Sequence, residues 1–345
     1  MNRNRGDIVK WLDREGIDED VVVSSRVRLA RNIRDEKFPQ RMSLNESQVV
    51  TEKILNAMEK SNLPEKYNFK RIEDLSSLER RAYVEEHLIS PGLIEVPDKS
   101  SFFLREDEAV TIMINEEDHL RMQVLFPGLY LEEGWKLCSE IDDFLEKNID
   151  YAYSEKFGYL TSCPTNVGTG MRISCMVHLP CLVLTGYIDS LISALNQIGL
   201  TVRGIYGEGS QILGNLFQIS NQTTLGETEE EIVQKLKSVI LEVIEKERNL
   251  RLKLLETQKI DMEDRVFRAL GLLKYSRVIT SSETMKLFSD IKMGIEMGII
   301  KDIKLKDIDQ LMILCQPSSL QRYYGKDMIP EERDIKRAEL IRERF

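Results

Sequence analysis

Cysteine and histidine are scarce in this chain. Five cysteines (Cys138, Cys163, Cys175, Cys181 and Cys315) are spread over 345 residues with no CxxC pair, and there are only three histidines. This leaves too few ligands at short spacing for a zinc site. An odd number of thiols in no framework fits a reducing compartment rather than a disulfide scaffold. No run of about 18 apolar residues occurs, so no membrane helix is expected. The opening stretch, MNRNRGDIVKWLDREG, is charged and has no leader-type apolar segment. The expectation is a cytoplasmic protein with no membrane contact. Positive charge is also in deficit. A net charge of −10 makes a general nucleic-acid binder a poor reading, and direct nucleic-acid contact is not expected; the charge suits a basic partner better. The usual nucleotide motifs are missing too. There is no GxxxxGK[ST], no GxGxxG after a strand, and no HRD or DFG set.

What is present is a foldable composition, 42% hydrophobic and 31% charged, long enough for a large domain and a smaller one. VVVSSRVRLARNI reads as a strand running into a loop. Residues 45–60, 77–89, 131–147 and 183–198 carry helical spacing, and the first segment is short and polar. AVTIMIN (109–115) and MRISCMVHL (171–179) read as strands, with the loop GYLTSCPTNVGTG (158–170) between them in the chain. TVRGIYGEGSQILGNLFQIS (201–220) reads as two strands around a Gly-rich turn. Thr228 and Glu231 form a capping box for a long helix. Beyond about residue 255 the pattern is wholly helical. The expected division is a catalytic part, 1–255, and a helical part, 256–345.

Arginine offers another way to hold phosphate. Arg26 and Arg28 are two apart, so an extended SSRVR points both to one side of a sheet. Arg121 follows an acidic cluster, Arg172 a glycine-rich loop, and Arg203 opens the second such turn. A guanidinium grips phosphate oxygens with two bonds and keeps its charge. Phosphoryl transfer needs mainly positioning and charge stabilisation. Glu117, at a strand end, and Glu208, between glycines, are carboxylates suited to clamp and deprotonate a guanidinium, which is otherwise a weak nucleophile. The competing reading has Glu116, Glu117 and Asp118 capping a following helix. Cys163 is either a reactive thiol beside a cation or an inert buried one. Cys175 and Cys181 read as core residues, and His87, His119 and His178 as structural ones.

Taken together, SSRVR (24–28), NEEDHLR (115–121), CPTNVGT (163–169), Arg172 and RGIYGE (203–208) resemble the phosphagen (guanidino) kinases. The resemblance spans roughly residues 20–255. It implies an α+β fold, an antiparallel sheet flanked by helices, with ATP and Mg2+ as cofactors and the metal carried mainly by ATP and water rather than by a protein metal site. It implies nucleotide contacts by Ser24, Ser25, Arg26, Val27 and Arg28, by His87 and Arg121, by Arg172, Ile173, Ser174, Cys175 and Met176, and by Arg203, Gly204, Ile205, Tyr206, Gly207 and Glu208. Glu117, Glu208 and Cys163 then take the catalytic places around the substrate guanidinium.

The helical domain that precedes the core in the small-molecule enzymes has no counterpart before SSRVR, so an open guanidinium pocket is expected. The segment after 255 has no counterpart in those enzymes either. This arrangement resembles the bacterial protein arginine kinases. RDIKRA (333–338) is similar to their RDxxRA motif, which implies an allosteric phosphoarginine site at Arg333, Asp334, Arg337 and Ala338. On a helix the two arginines stand at i and i+4. The same resemblance implies protein substrates with exposed arginines, a DNA-binding repressor among them. It also implies a zinc-binding activator protein, a Clp-type unfoldase or protease, and a homodimer formed through the helical part. Two other readings stay open. One is a small-molecule kinase acting on free arginine, which the RDIKRA tail argues against. The other is a non-catalytic phosphoarginine-binding regulator, which Glu117, Glu208 and the five arginines argue against.

Overall fold

The computed structural model describes residues 9–61, 63–204 and 213–345. Its centre is an antiparallel sheet of eight strands in the order β2-β3-β4-β5-β1-β8-β10-β9. The strands are β1 (Val22–Arg31), β2 (Tyr67–Arg71), β3 (Ser101–Arg105), β4 (Val110–Ile114), β5 (Leu120–Pro127), β8 (Met171–His178), β9 (Leu200–Arg203) and β10 (Leu216–Asn221). A separate two-stranded ribbon, β6 (Tyr153–Ser154) and β7 (Gly158–Tyr159), lies before β8 in the chain.

Strand alternation divides the sheet into two unlike faces. On one, Ser25, Val27, Leu29, Met122, Val124, Ile173, Cys175, Phe217 and Ile219 are all buried. Helices α3 (Leu131–Glu146) and α6 (Glu229–Thr257) pack here against β1, β5, β8 and β10. The opposite face holds Ser24, Arg26, Arg28, Arg121, Arg172, Ser174, Met176, Gln218 and Arg203. Their register follows from the ladders Arg26↔Ser174, Arg28↔Arg172, Ala30↔Arg121 and Gln218↔Arg203. One face is therefore core, and the other is left for a ligand.

The remaining helices of the first part are α1 (Leu44–Lys60), α2 (Ser77–Glu85), α4 (Pro180–Leu184) and α5 (Ile188–Gln197). Capping boxes open α1 at Ser43 and Glu46, α2 at Ser76 and Glu79, and α6 at Thr228 and Glu231. Two expected helices are corrected. The segment 183–198 is broken at Gly186, which takes φ +74 between α4 and α5. The segment 77–89 stops at Glu85, and His87 adopts φ 62, which no helix allows. The polar opening segment also differs from expectation. Trp11 is only 3% exposed and joins Val9, Leu12, Leu88 and Phe102 in a core of their own.

After α6 the chain turns at Gln258 and stays helical, as its pattern suggested. The helices are α7 (Lys259–Tyr275), α8 (Ser281–Glu296), α9 (Leu305–Leu314), α10 (Pro317–Tyr324) and α11 (Pro330–Arg342). Their shared core includes Phe288, Ile291, Ile308, Leu320 and Ile341, and it takes in Cys181, Leu216 and Leu254 from the first part. None of the described helices is long and apolar enough to cross a membrane.

Candidate active site

The polar face of the sheet opens into a cleft of about 290 Å3, with Arg26, Arg28, Arg121, Arg172 and Arg203 in its wall. His87, Glu116, Glu117 and Asp118 border the same space. The five arginines named from the sequence therefore converge, although they come from β1, β5, β8 and β9.

Such crowding weakens the charges of Arg26 and Arg28, whereas Arg121, against the opposing effect of burial, is raised by its carboxylate neighbours, Glu116 first. Burial, together with Arg121 and Arg172 nearby, brings Arg26 down to about 10. Burial and the charges of Arg26, Arg121 and Arg172 lower Arg28 further, with Glu116 acting the other way. Arg28 Nε is buried and has no hydrogen-bond partner among the described residues. Arg26 Nη2 donates to Gln218 Oε1 at 2.6 Å. A concentrated, partly satisfied set of guanidinium groups calls for a polyanion, and phosphate oxygens fit it in charge and geometry.

The carboxylates divide their tasks. β4 and β5 form a hairpin, so the acidic cluster is a turn between strands and caps no helix. Glu116 is tied to Arg121 and accepts a hydrogen bond from Ser90 Oγ at 2.6 Å. Burial opposes its charge, but Arg121, Ser90 and Arg28 hold its carboxyl below the ordinary range. Asp118 is a fastener. Its Oδ1 accepts from Asn32 Nδ2 at 2.6 Å and from the Ser162 amide at 2.7 Å. That second bond draws the loop before Cys163 against the turn that carries Glu117. The Cys163 thiol is thus brought near enough to the Glu117 carboxylate to lower it. Burial, Asp118 and Glu116 raise Glu117 above the ordinary carboxylate range, against the opposing effects of Arg121 and Cys163. A raised carboxylate half-open to a cleft is a competent proton acceptor for a basic substrate.

Cys163 is half-exposed rather than buried, and its Sγ lies 2.9 Å from Thr165 Oγ1. The following loop is held by Thr224, whose Oγ1 donates to the Thr165 and Val167 carbonyls at 3.0 and 2.7 Å. Behind it, fully buried Arg31 donates to the Thr169 carbonyl at 2.8 Å, pairs with Asp142 and stacks 3.5 Å from the Tyr159 ring centre.

Other expected nucleotide residues divide by face. Ser24, Ser174 and Met176 line a small cavity continuing inward from the cleft. Ser25, Val27, Ile173 and Cys175 point their side chains to the far face, into the core, so their expected contact does not involve side chains lining the cleft. Gly204 ends the described part of that turn. Ile205, Tyr206, Gly207 and Glu208 lie outside the described residues. His119 and His178 are buried and hydrogen-bonded, as expected of structural histidines. Sequence reasoning passed over Gln218, Gln123 and Ser90. Gln218 was findable only through its pairing with Arg203 and Met176, which is not visible before strand register is known.

The RDIKRA segment lies within α11 but does not present an open pair of arginines. Arg337 is 1% exposed. It donates through Nε to the Cys315 carbonyl at 2.8 Å, and through Nη1 to the Ile279 carbonyl at 2.9 Å and Asp334 Oδ1 at 2.5 Å. Arg333, half-buried, donates to the Met328 carbonyl at 3.3 Å. Ala338 is buried in the helical core.

Comparison with known proteins agrees with this geometry. Residues 49–250 match the family described as ATP:guanido phosphotransferase, C-terminal catalytic domain, and residues 259–345 match the protein-arginine kinase McsB C-terminal domain. The chain is 51% identical over 340 residues to a protein-arginine kinase of Geobacillus sp. (strain WCH70), covering 98% of this chain and 94% of that one. It is 50% identical over 337 residues to a protein-arginine kinase of Bacillus subtilis (strain 168), covering 97% and 93%. Among solved structures, a lombricine kinase superposes with TM-score 0.60 at 25% identity, covering 72% of this chain and 71% of that one. A duplicated taurocyamine kinase from Schistosoma mansoni with bound transition state analog components gives TM-score 0.62 at 26% identity, over 71% of this chain and 36% of that one. The chain belongs to the protein-arginine kinase family, phosphotransferases built on the ATP:guanido phosphotransferase fold.

Proposed function

We propose that the chain transfers the γ-phosphoryl group of ATP to the guanidinium of arginine side chains in proteins. One observation carries the reading: five arginines and Glu117 line one cleft, with the Cys163 thiol acting on Glu117 from beside it. The arginines hold the phosphates and spread the charge of the transferring group. Glu117 orients the planar guanidinium and accepts its proton. A guanidinium nitrogen forms the new bond to phosphorus, the bond to the bridging oxygen breaks, and ADP leaves with that bond's electron pair. Mg2+ arriving with ATP would neutralise phosphate charge. Glu208 is proposed as the second carboxylate of the clamp.

Further proposals follow from the family. The acidic chain suits basic targets such as a DNA-binding repressor, inactivated by phosphorylation. Other marked proteins would pass to a Clp-type unfoldase or protease, and a zinc-binding activator would assist. Residues 1–255 are the proposed catalytic domain, and 256–345 the proposed dimerisation domain. Ile260, Phe267 and Tyr275, exposed along α7, suit a second copy. An allosteric phosphoarginine at RDIKRA would have to draw Arg337 from its present bonds. The proposed setting is a cytoplasmic stress response.

The test is incubation with ATP, Mg2+ and an unstructured arginine-rich protein, with free arginine in parallel, followed by mass spectrometry at neutral pH. Acid-labile phosphate on the protein's arginines, with little on free arginine, supports the reading. Phosphate on free arginine alone makes this a small-molecule kinase.

A further inference from the structure

We infer that α10, which lies in the C-terminal helical region, is a working part of the nucleotide site: it grips Glu85 and Glu86 and so sets His87 against the cleft. The inference rests on the kinase reading of that cleft.

Three consecutive residues at the end of α2 carry the connection. The Glu85 carboxylate accepts from the backbone amides of Ser318 and Ser319 at 2.8 and 2.7 Å, and from Ser319 Oγ at 3.0 Å. These are first-turn amides of α10, which have no partner within their own helix and favour an anion. Glu86 is 2% exposed and is ion-paired with Arg322, whose guanidinium stacks 5.3 Å from the Tyr83 ring centre. The Glu86 carbonyl accepts from Trp11 Nε1 at 3.1 Å. With both glutamates fixed, the chain turns through His87 in a left-handed conformation, φ 62. Such a conformation in a non-glycine residue persists only where its surroundings over-determine it, and it gathers at ligand sites. Gln123 completes the hold, donating from Nε2 to the His87 carbonyl at 2.9 Å.

The His87 side chain is where this hold meets the cleft. It lines the main cleft beside Arg26, the small cavity behind it with Ser24 and Gln218, and an inner cavity closed by Met285, Met312 and Gln316 of the helical region. His87 is the one described residue common to all three. Burial and the nearby Arg26 charge lower its imidazole to about 4, so the ring is neutral and suited to a nucleoside rather than to phosphate. Neither glutamate is among the described residues lining the main cleft. They are positioning residues that act through His87.

The experiment is steady-state kinetics on the full chain with the arginine-rich protein as substrate. Glu85→Gln, and separately Ser319→Ala, should raise the KM for ATP about tenfold. The kcat at saturating ATP should stay within about twofold, and the KM for the protein substrate should not change. Because the effect passes through His87, Glu85→Gln combined with His87→Ala should be no worse for ATP than His87→Ala alone. Thermal melts check folding, and Ser319→Ala, which removes a single bond, decides if Glu85→Gln does not fold. An unchanged KM for ATP in a folded variant, or an additive double variant, overturns the inference and leaves the kinase reading standing. Wild-type protein that neither binds nor consumes ATP overturns both.

Discussion

Arg28 and Arg172 stand directly opposite each other on neighbouring strands, in register across the β1–β8 ladder. Like charges so placed are destabilising in an antiparallel pair. The sheet tolerates them because their face is reserved for an anion, which repays the repulsion only when it binds.

The first prediction follows. Arg172→Met should leave the melting temperature of the ligand-free protein unchanged or slightly raised, while the increase produced by ATP shrinks markedly. Linkage supplies the sign, since a ligand stabilises the folded state only as far as it binds it. Melts with and without ATP provide the check. A large loss in the ligand-free protein would mean that Arg172 is mainly structural.

Glu117 is the second case. Glu117→Gln keeps the shape and the arginine cleft but removes the proton acceptor. The kcat should fall by about 10²–10⁴-fold with ATP affinity nearly intact. Because Glu117 is raised above the ordinary carboxylate range, the acid limb of the rate profile should lie higher in pH than for an unperturbed carboxylate. Activity falls as pH drops through that value, since the base must be ionised. A pH–rate profile with its acid limb in the ordinary carboxylate range would remove Glu117 from the role.

The loop carrying Cys163 depends on glycine. Gly168 takes φ 117, and a Cβ there would lie 2.1 Å from the Thr224 carbonyl oxygen. Gly168→Ala therefore meets both backbone strain, which alone costs about 1–3 kcal/mol, and a hard contact. It should lower both the melting temperature and turnover, whereas Gly186→Ala, where space is open, should affect stability through φ alone and leave turnover unchanged. Equal turnover losses in the two variants would show that the Gly168 contact is unimportant.

These residues show what was legible in advance. The arginines were readable because alternation in SSRVR places two of them on one face and because the family strings surround the rest. Buried β4 was readable from its β-branched run. Strand β5 was obscured, because the cluster Glu116–Asp118 before it resembles a helix cap, and only pairing with β1 and β4 shows a hairpin. The setting of the tail arginines was hidden for a related reason. Spacing at i and i+4 places Arg333 and Arg337 on one helical face, but nothing in the sequence says that this face turns toward the Cys315 and Ile279 carbonyls. Asp118 could be suspected only as part of an acidic run. Its role as fastener depends on Asn32 and Ser162, which are distant in the chain.

The last prediction concerns a buried pair beneath the helical region. His178 Nδ1 lies 3.5 Å from Glu296 Oε1, and neither side chain is exposed. Lys292, Glu247, Arg251 and Asp309 act on His178; Arg251, Lys292, Asp20 and Arg248 act on Glu296. Burial dominates both. It lowers His178 from 6.5 to about 3 and raises Glu296 from 4.5 to about 8. Between pH 4.5 and 8 the folded chain therefore keeps a proton on Glu296 that the unfolded chain releases, so this contribution to stability is lost as pH rises through that window. Between pH 6.5 and 3 the unfolded chain binds a proton at His178 that the folded chain refuses, so that contribution is lost as pH falls. The two slopes, each about 1.4 kcal/mol per pH unit, cancel where the windows overlap. Their joint contribution should be flat from pH 4.5 to 6.5 and should fall on either side. Glu296→Gln carries no titrating proton and should abolish the alkaline loss between 6.5 and about 8. Denaturant unfolding at a series of pH values reads this directly. An alkaline slope that survives in Glu296→Gln would assign it to another group.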